Sequence, residues 1–257
     1  MDIIKDFRMA KTGENAVIRV LEAADLPRVL ELQEATRGAL PPAQKMFVLP
    51  QSPDYFAGLL ERDGGAMVGI ESGGDLIAQM VVMGAMTVDE MTARQKLTRN
   101  EVFFHHATPN DSVVIAKSMA VHPGYRGNEL SQHMLEAAQA LPLSRQADHM
   151  FAQISVDNIR SWDLFLREGF GIVAAAVDPA DLKPRFIVQK PALGYALHHM
   201  QATHDVDPVA DFASIMRLTQ REALIGMLDQ GEAFKLAFYS SVDMAAAWDD
   251  SADLAAQ

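Results

Sequence analysis

The chain contains no cysteine among its 257 residues, which excludes disulfides, thiolate metal sites and a cysteine nucleophile in any compartment. It has no run of the roughly 18 to 20 consecutive apolar residues that a membrane-spanning helix needs. Its opening, "MDIIKDFRMAKTGENA", lacks the basic-then-apolar layout of a secretory signal. A soluble, cytoplasmic protein is expected. Positive charge is scarce: 22 lysines and arginines stand against 34 aspartates and glutamates, a formal charge of -12. That balance disfavours nucleic acid and anionic membrane as partners and suits a cationic acceptor such as an amine or a basic peptide. Internal repeats and low-complexity linkers are also missing.

What is present is apolar residue in quantity, 49% of the chain, enough for one large domain or one domain with a smaller appendage. Strands and helices alternate in mixed order. "NAVIRVL" reads as a strand, and "DLPRVLELQEAT" as a helix opened by Asp25, with Pro27 tolerated in its first turn. "SPDYFAGLLER" should form a second helix, with Ser52 as its cap and Pro53 at its first position. "AMVGIES" and "LIAQMVVMG" flank a Gly-Gly-Asp turn and predict an antiparallel hairpin. Residues 86 to 112 form a polar connection with a weak helical pattern at its centre.

Beyond it, "SVVIAKSMAVHP" reads as a long strand. "NELSQHMLEAAQAL" follows as a helix with Leu130, Met134, Ala137, Ala138 and Leu141 on one face, and Pro142 stops it. "MFAQISVD" is another strand, and "NIRSWDLFLREG" a helix with Ile159, Trp162, Phe165 and Leu166 inward and Gly169 at its end. "FGIVAAAV" and "RFIVQKPA" supply the last two strands. The expected order is β-α-α-β-β-β-α-β-α-β-β. After Pro191 the character becomes helical, with Asp207 and Pro208 opening a long helix, so residues 1–191 are expected as one domain and 192–257 as a helical extension.

The turn between residues 122 and 131, "HPGYRGNELS", has the layout of an anion site. A pyrophosphate needs several converging N–H donors and no nearby bulk. A turn that feeds straight into a helix N-terminus supplies free amides and the positive end of the helix dipole. Arg126 adds a cation, Gly127 permits close backbone approach, and residues 127 to 131 supply the amides. A purely structural turn is the competing reading.

The element order, with "VHPGYRGNELSQHML" and "NIRSWDLFLREGF", resembles the GNAT superfamily of acetyl-CoA-dependent N-acyltransferases over residues 14 to 190. The resemblance implies an α+β fold around a mixed, mostly antiparallel sheet of about seven strands, with a fourth and fifth strand that splay apart. It implies that a bulged fourth strand and that gap receive the pantetheine arm, and that a turn of the pattern Arg or Gln, two residues, Gly, one residue, Gly or Ala wraps the pyrophosphate. Carried over residue by residue, Met119, Ala120 and Val121 would face the pantetheine amides. Arg126, Gly127, Asn128, Glu129, Leu130 and Ser131 would form the pyrophosphate loop. Asn158, Ser161 and Phe165 would belong to the second motif. Glu129 stands where the family usually has the first motif glycine and Ser131 where it has Gly or Ala. A carboxylate there repels phosphate unless it turns to solvent or to Arg126, although it also suits the helix dipole.

Phe165 occupies the position of a tyrosine credited in the family with protonating the departing thiolate, and a phenyl ring has no proton to give. Ser155, Ser161 or a water would have to replace it. Otherwise turnover is slow, and Phe165 is a core aromatic either way. Direct attack by an amine on the thioester is expected, with acetyl-CoA as co-substrate and no acyl-enzyme. Candidate bases are Glu101, His105 and His106 in the connection and Glu71 on the hairpin, although for each of them a solvated surface role is the better expectation. His122 reads as a turn residue. The His pairs at 105 and 198 lack a third ligand with recognisable spacing, so no metal is expected. The C-terminal extension suits a lid, a homodimer arm or a small helical unit. Three functions fit: an N-acetyltransferase acting on a small-molecule or protein amine, an acyl-CoA sensor with impaired turnover, or an interaction protein that binds no CoA.

Overall fold

The computed structural model describes residues 3–48, 50–61, 64–95, 107–178 and 183–191. The helical extension expected over 192–257, and Glu101, His105 and His106, lie outside the described residues. The chain forms two compact units, Met1–Ala85 with Val114–Ala147, and Met86–Val113 with Asp148–Gln257.

In the first unit, strands β1 (Ile3–Arg8), β2 (Asn15–Leu21), β3 (Ala66–Ser72), β4 (Asp75–Thr87) and β5 (Ser112–Val121) are hydrogen-bonded in that order. The pairs β1/β2, β2/β3 and β3/β4 are antiparallel. β3 and β4 are almost wholly buried, and the apolar runs foreseen for this hairpin meet across the pair Ser72 and Asp75. Their two-residue connection, Gly73 and Gly74, has φ of +60° and +93°. Such a turn matches the right-handed twist of the strands and excludes most side chains.

Helix α1 (Leu26–Gly38) follows a 3₁₀ turn at Ala23–Asp25, and α2 (Pro53–Glu61) is capped as expected, with the Tyr55 amide donating to the Ser52 hydroxyl at 3.2 Å. Asp25 precedes α1 but does not cap it. Its carboxylate turns inward to Arg19 and accepts from the Glu22 amide at 2.9 Å. Helix α4 (Leu130–Ala140) buries Leu130, Met134, Ala137, Ala138 and the adjoining Leu141, the face that the helical spacing picks out. Pro142 ends it and opens the short α5 (Pro142–Gln146).

In the second unit, α3 (Val88–Gln95) begins the connection, and strands β6 (His149–Ser155), β8 (Lys183–Pro191) and β7 (Gly171–Asp178) lie in that order, both pairs antiparallel. Helix α6 (Ile159–Arg167) buries Trp162, Phe165 and Leu166. The Trp162 indole donates to the Val156 carbonyl at 3.0 Å. Ile159 departs from the expectation: it sits on the first turn of α6 and is 40% exposed. His149 is buried between Asp111, 3.3 Å from Nε2, and Gln189, 2.9 Å from Nδ1, which ties the end of the connection to β6 and β8.

The described residues are thus a mixed α+β protein with eight mostly antiparallel strands and flanking helices. The strand that sequence reading misses is β1. Its residues are exposed except for the half-buried Ile4 and Phe7, with Lys5, Asp6 and Arg8 among the exposed ones, so no period-two apolar pattern marks it. It is an edge strand guarded by charge.

Candidate active site

β5 carries the first unusual feature. Ser118, inside the strand, has φ +53°, the left-handed conformation that accompanies a bulge and that L-residues adopt at a cost of roughly 1–2 kcal/mol. Gln79 on β4, 1% exposed, donates its amide to the Ser118 carbonyl at 2.6 Å and fixes that kink. Beyond it, Met119 and Val121 are half-buried and Ala120 buried. The Thr36 hydroxyl of α1 donates to the Val121 carbonyl at 3.3 Å, and the His122 amide donates to Ile77 at 2.8 Å. His122 accepts from the Gly124 amide through Nδ1 at 3.2 Å, so it is a turn residue as its position implies.

The turn then enters α4 with two positive φ angles, +86° at Gly127 and +60° at Glu129. Glu129 therefore holds the backbone conformation that glycine adopts without penalty, which accounts physically for a glycine preference at that position. The Glu129 carbonyl accepts the first two helix amides, from Gln132 at 3.0 Å and His133 at 3.1 Å. The amides of residues 127 to 131 have no acceptor among the described residues. Five consecutive free donors at the positive end of a helix are chemically suited to phosphate oxygens.

The Asn128 side chain supports this array rather than lining it. Buried to 1% exposure, its side-chain oxygen accepts from the amides of Lys11 at 2.7 Å and Thr12 at 3.1 Å, and its nitrogen donates to the Tyr125 carbonyl at 3.0 Å. The β1–β2 turn is thereby clamped to the loop. A Cβ on Gly127 would come within 3.6 Å of the Lys11 side chain, so that chain lies against the loop. Arg126 and Glu129 are both exposed, and no ion pair joins them among the described residues. Glu129 resolves its repulsion toward an anion by facing solvent.

The second-motif residues occupy the second unit. Asn158 starts α6 and is half-buried, its carbonyl accepting from the amides of Ser161 at 3.0 Å and Trp162 at 3.3 Å. Ser161 is half-buried. Phe165 is 3% exposed and packs edge-on against Phe170 at 4.9 Å, a core position. Ser155 is buried, and its hydroxyl has no hydrogen-bond partner among the described residues. An unmatched buried hydroxyl is rare enough to mark a position worth testing.

Glu71 is corrected as a candidate base. Its carboxylate bridges Arg19 at 2.8 Å and Arg28. The Arg19 hydrogen bond, more than the partly opposing burial, holds its pKa below the usual carboxylate range. Asp25 completes the cluster with Arg19, which lowers the Asp25 pKa to about 2. The cluster joins β2, the turn before α1 and β3, and is structural. Sequence reasoning also missed Gln79 and the clamp role of Asn128. Neither has a local signal, because each acts on a backbone group distant in sequence.

A family model for the acetyltransferase (GNAT) family matches residues 26–170. No curated protein matches the sequence significantly. Among solved structures, the GNAT domain of an S. lividans PAT protein aligns at TM-score 0.50 and 14% identity, covering 73% of this chain and 96% of its own. The diaminobutyrate acetyltransferase EctA of Paenibacillus lautus, in complex with L-2,4-diaminobutyric acid and coenzyme A, aligns at 0.50 and 19%, covering 70% and 98%. An N-acetyltransferase from Staphylococcus aureus Mu50 aligns at 0.50 and 14%, covering 69% and 99%. At these identities the likeness speaks for the fold. With the family match across more than half of its length, and with the left-handed Ser118 in β5 and the turn with free amides inside the matched segment, the chain belongs to the GNAT family of acetyltransferases.

Proposed function

We propose that the protein is an N-acetyltransferase that moves the acetyl group of acetyl-CoA to a primary amine. The observation that carries this reading is the run of free amides at residues 127 to 131, flanked by Arg126 and held open by the Asn128 clamp. Those donors fit a pyrophosphate. The exposed backbone at Gly127 leaves room for one, and Glu129 points its charge to solvent. The coenzyme, when bound, supplies an activated acetyl thioester.

The proposed reaction needs no covalent enzyme intermediate. The neutral amine nitrogen attacks the thioester carbonyl carbon, the C–S bond breaks, the amine loses a proton, and the sulfur leaves as thiol after gaining one. The chain would contribute alignment by β5, whose kink at Ser118 supports a positioned backbone donor. Phe165 supplies no proton. Ser155, whose buried hydroxyl is unmatched, and Ser161 are the donors proposed in its place.

Release of CoA thiol in the presence of an amine panel tests the reading. Turnover with any amine above the hydrolytic background is expected, and binding of CoA without turnover would favour the second reading, an acyl-CoA sensor. The buried phenyl ring of Phe165 is the observation that supports that alternative. Phe165→Tyr separates the two: a large gain in rate argues that the chain is impaired, and an unchanged rate argues for another proton donor.

A further inference from the structure

A half-buried cation in the first unit has no counterion among the described residues. Lys117, on β5 immediately before the kink at Ser118, is half-buried, and no carboxylate lies within ion-pair distance of it among the described residues. Its ammonium sits 5.2 Å from the centre of the Tyr55 ring of α2 and 3.7 Å from the Met83 sulfur on β4. A thioether is a weak acceptor, and a ring face offers only a quadrupole, so the three ammonium donors are poorly satisfied. The hydroxyl of that same Tyr55 is buried and has no hydrogen-bond partner among the described residues. The 1%-exposed Gln79, two positions from Val81 and four from Met83 on β4, also has an unmatched oxygen, while its nitrogen holds Ser118. Unmatched polar groups of both kinds, one residue from the strand kink, ask for a ligand.

We propose that Lys117 and Tyr55 form an anion subsite for the acceptor, and that the acceptor is an amine that also carries a carboxylate. This deepens the transferase reading and rests on it. In a protein with a formal charge of -12, the carboxylate of such an acceptor requires a dedicated cation at short range, while its ammonium groups are favoured by the same charge. Lys117 is that cation, and the Tyr55 hydroxyl donates a second hydrogen bond to the same carboxylate. The carboxylate replaces weak partners by a charge-assisted pair, and its place beside Ser118 directs the amine of the same molecule along β5.

The test uses amine pairs that differ only in the carboxylate: L-lysine against 1,5-diaminopentane, and L-ornithine against 1,4-diaminobutane. With acetyl-CoA and wild-type protein, kcat/KM is expected to be at least about 10-fold higher for the amino acid of each pair. Lys117→Met should remove that preference by raising KM for the amino acid while kcat stays within a few-fold. Tyr55→Phe should raise the same KM several-fold and leave the diamine unaffected. Equal use of both members by wild type, or a preference that survives Lys117→Met, overturns the subsite.

If CoA raises the melting temperature but no amine releases thiol, the transferase reading fails by itself. The subsite is then decided by titrating L-lysine into CoA-loaded protein. Binding that Lys117→Met abolishes upholds it, and equal or absent binding overturns it. Lys117→Arg, which keeps the charge, should retain most of the amino-acid preference and controls for loss of packing.

Discussion

The side-chain amide of Gln79 donates to the carbonyl of Ser118 at 2.6 Å, and Ser118 is the residue at which β5 departs from extended geometry. The kink in β5 is therefore held by a side chain from the neighbouring strand. Gln79→Leu keeps the apolar bulk but leaves the Ser118 carbonyl without its donor, at a cost of about 1–3 kcal/mol. Urea denaturation should show that loss, and CoA affinity should fall by more than the loss of stability explains. A variant as stable as wild type with unchanged CoA affinity would mean that the kink holds itself.

Glu129 combines a left-handed backbone with a negative charge beside the amide array. Glu129→Gly removes both, and Glu129→Gln removes the charge alone. Both should tighten CoA binding, measured calorimetrically at two salt concentrations, with the difference from wild type shrinking as salt rises. Only the glycine variant should also relieve the backbone penalty of about 1 kcal/mol, part of which glycine returns through its unfolded-state entropy.

Asn128→Ala leaves the Lys11 and Thr12 amides without their acceptor and detaches the β1–β2 turn from the loop. A destabilisation of about 1–3 kcal/mol is expected. Amide hydrogen exchange at Lys11 and Thr12 should accelerate before the rest of the first unit responds.

Asp25 gives a pH prediction of defined sign. Its pKa falls from the ordinary 3.8 to about 2 in the folded protein, chiefly through the Arg19 hydrogen bond, so folding favours the charged form. The resulting stabilisation, on the order of 2 kcal/mol, is complete above about pH 4 and is lost as pH drops toward 2. Glu71, also lowered by Arg19, adds to the same loss. Asp25→Asn should flatten the acid limb of a melting-temperature profile between pH 5 and 2. Arg19→Met, which leaves Arg28 as the only cation beside both carboxylates among the described residues, should cost more at pH 7 than Asp25→Asn does.

Much of the fold was legible because period and punctuation agreed. The apolar face of α4, the Ser52 cap, the Gly-Gly turn and the Pro142 stop each rest on neighbours within a few residues, where sequence patterns carry information. β1 was not legible, because an edge strand protected by charge lacks the alternation that marks a strand. Asp25 had the identity and position of a cap, yet two arginines offered its carboxylate stronger partners than helix amides. At the candidate site the loop was readable from Arg126, Gly127 and the abrupt helix start. The Gln79 and Asn128 side chains were not, since their partners lie 39 and 117 positions away along the chain. Lys117 illustrates the same limit: what distinguishes it is that no carboxylate pairs with it among the described residues, a property of packing alone.

The most direct test of the central claim is the melting temperature of the full chain with and without CoA at about 100 times its dissociation constant, for wild type and Arg126→Ala. Binding at that excess adds about 2.7 kcal/mol to the folded state, which for a protein of this size is a rise of roughly 5–10 °C. The account predicts that rise in the wild type and a clearly smaller one at the same CoA concentration in Arg126→Ala. No rise in the wild type at millimolar CoA would contradict it, because the free amides of residues 127 to 131 would then be the start of a helix and not a cradle for pyrophosphate.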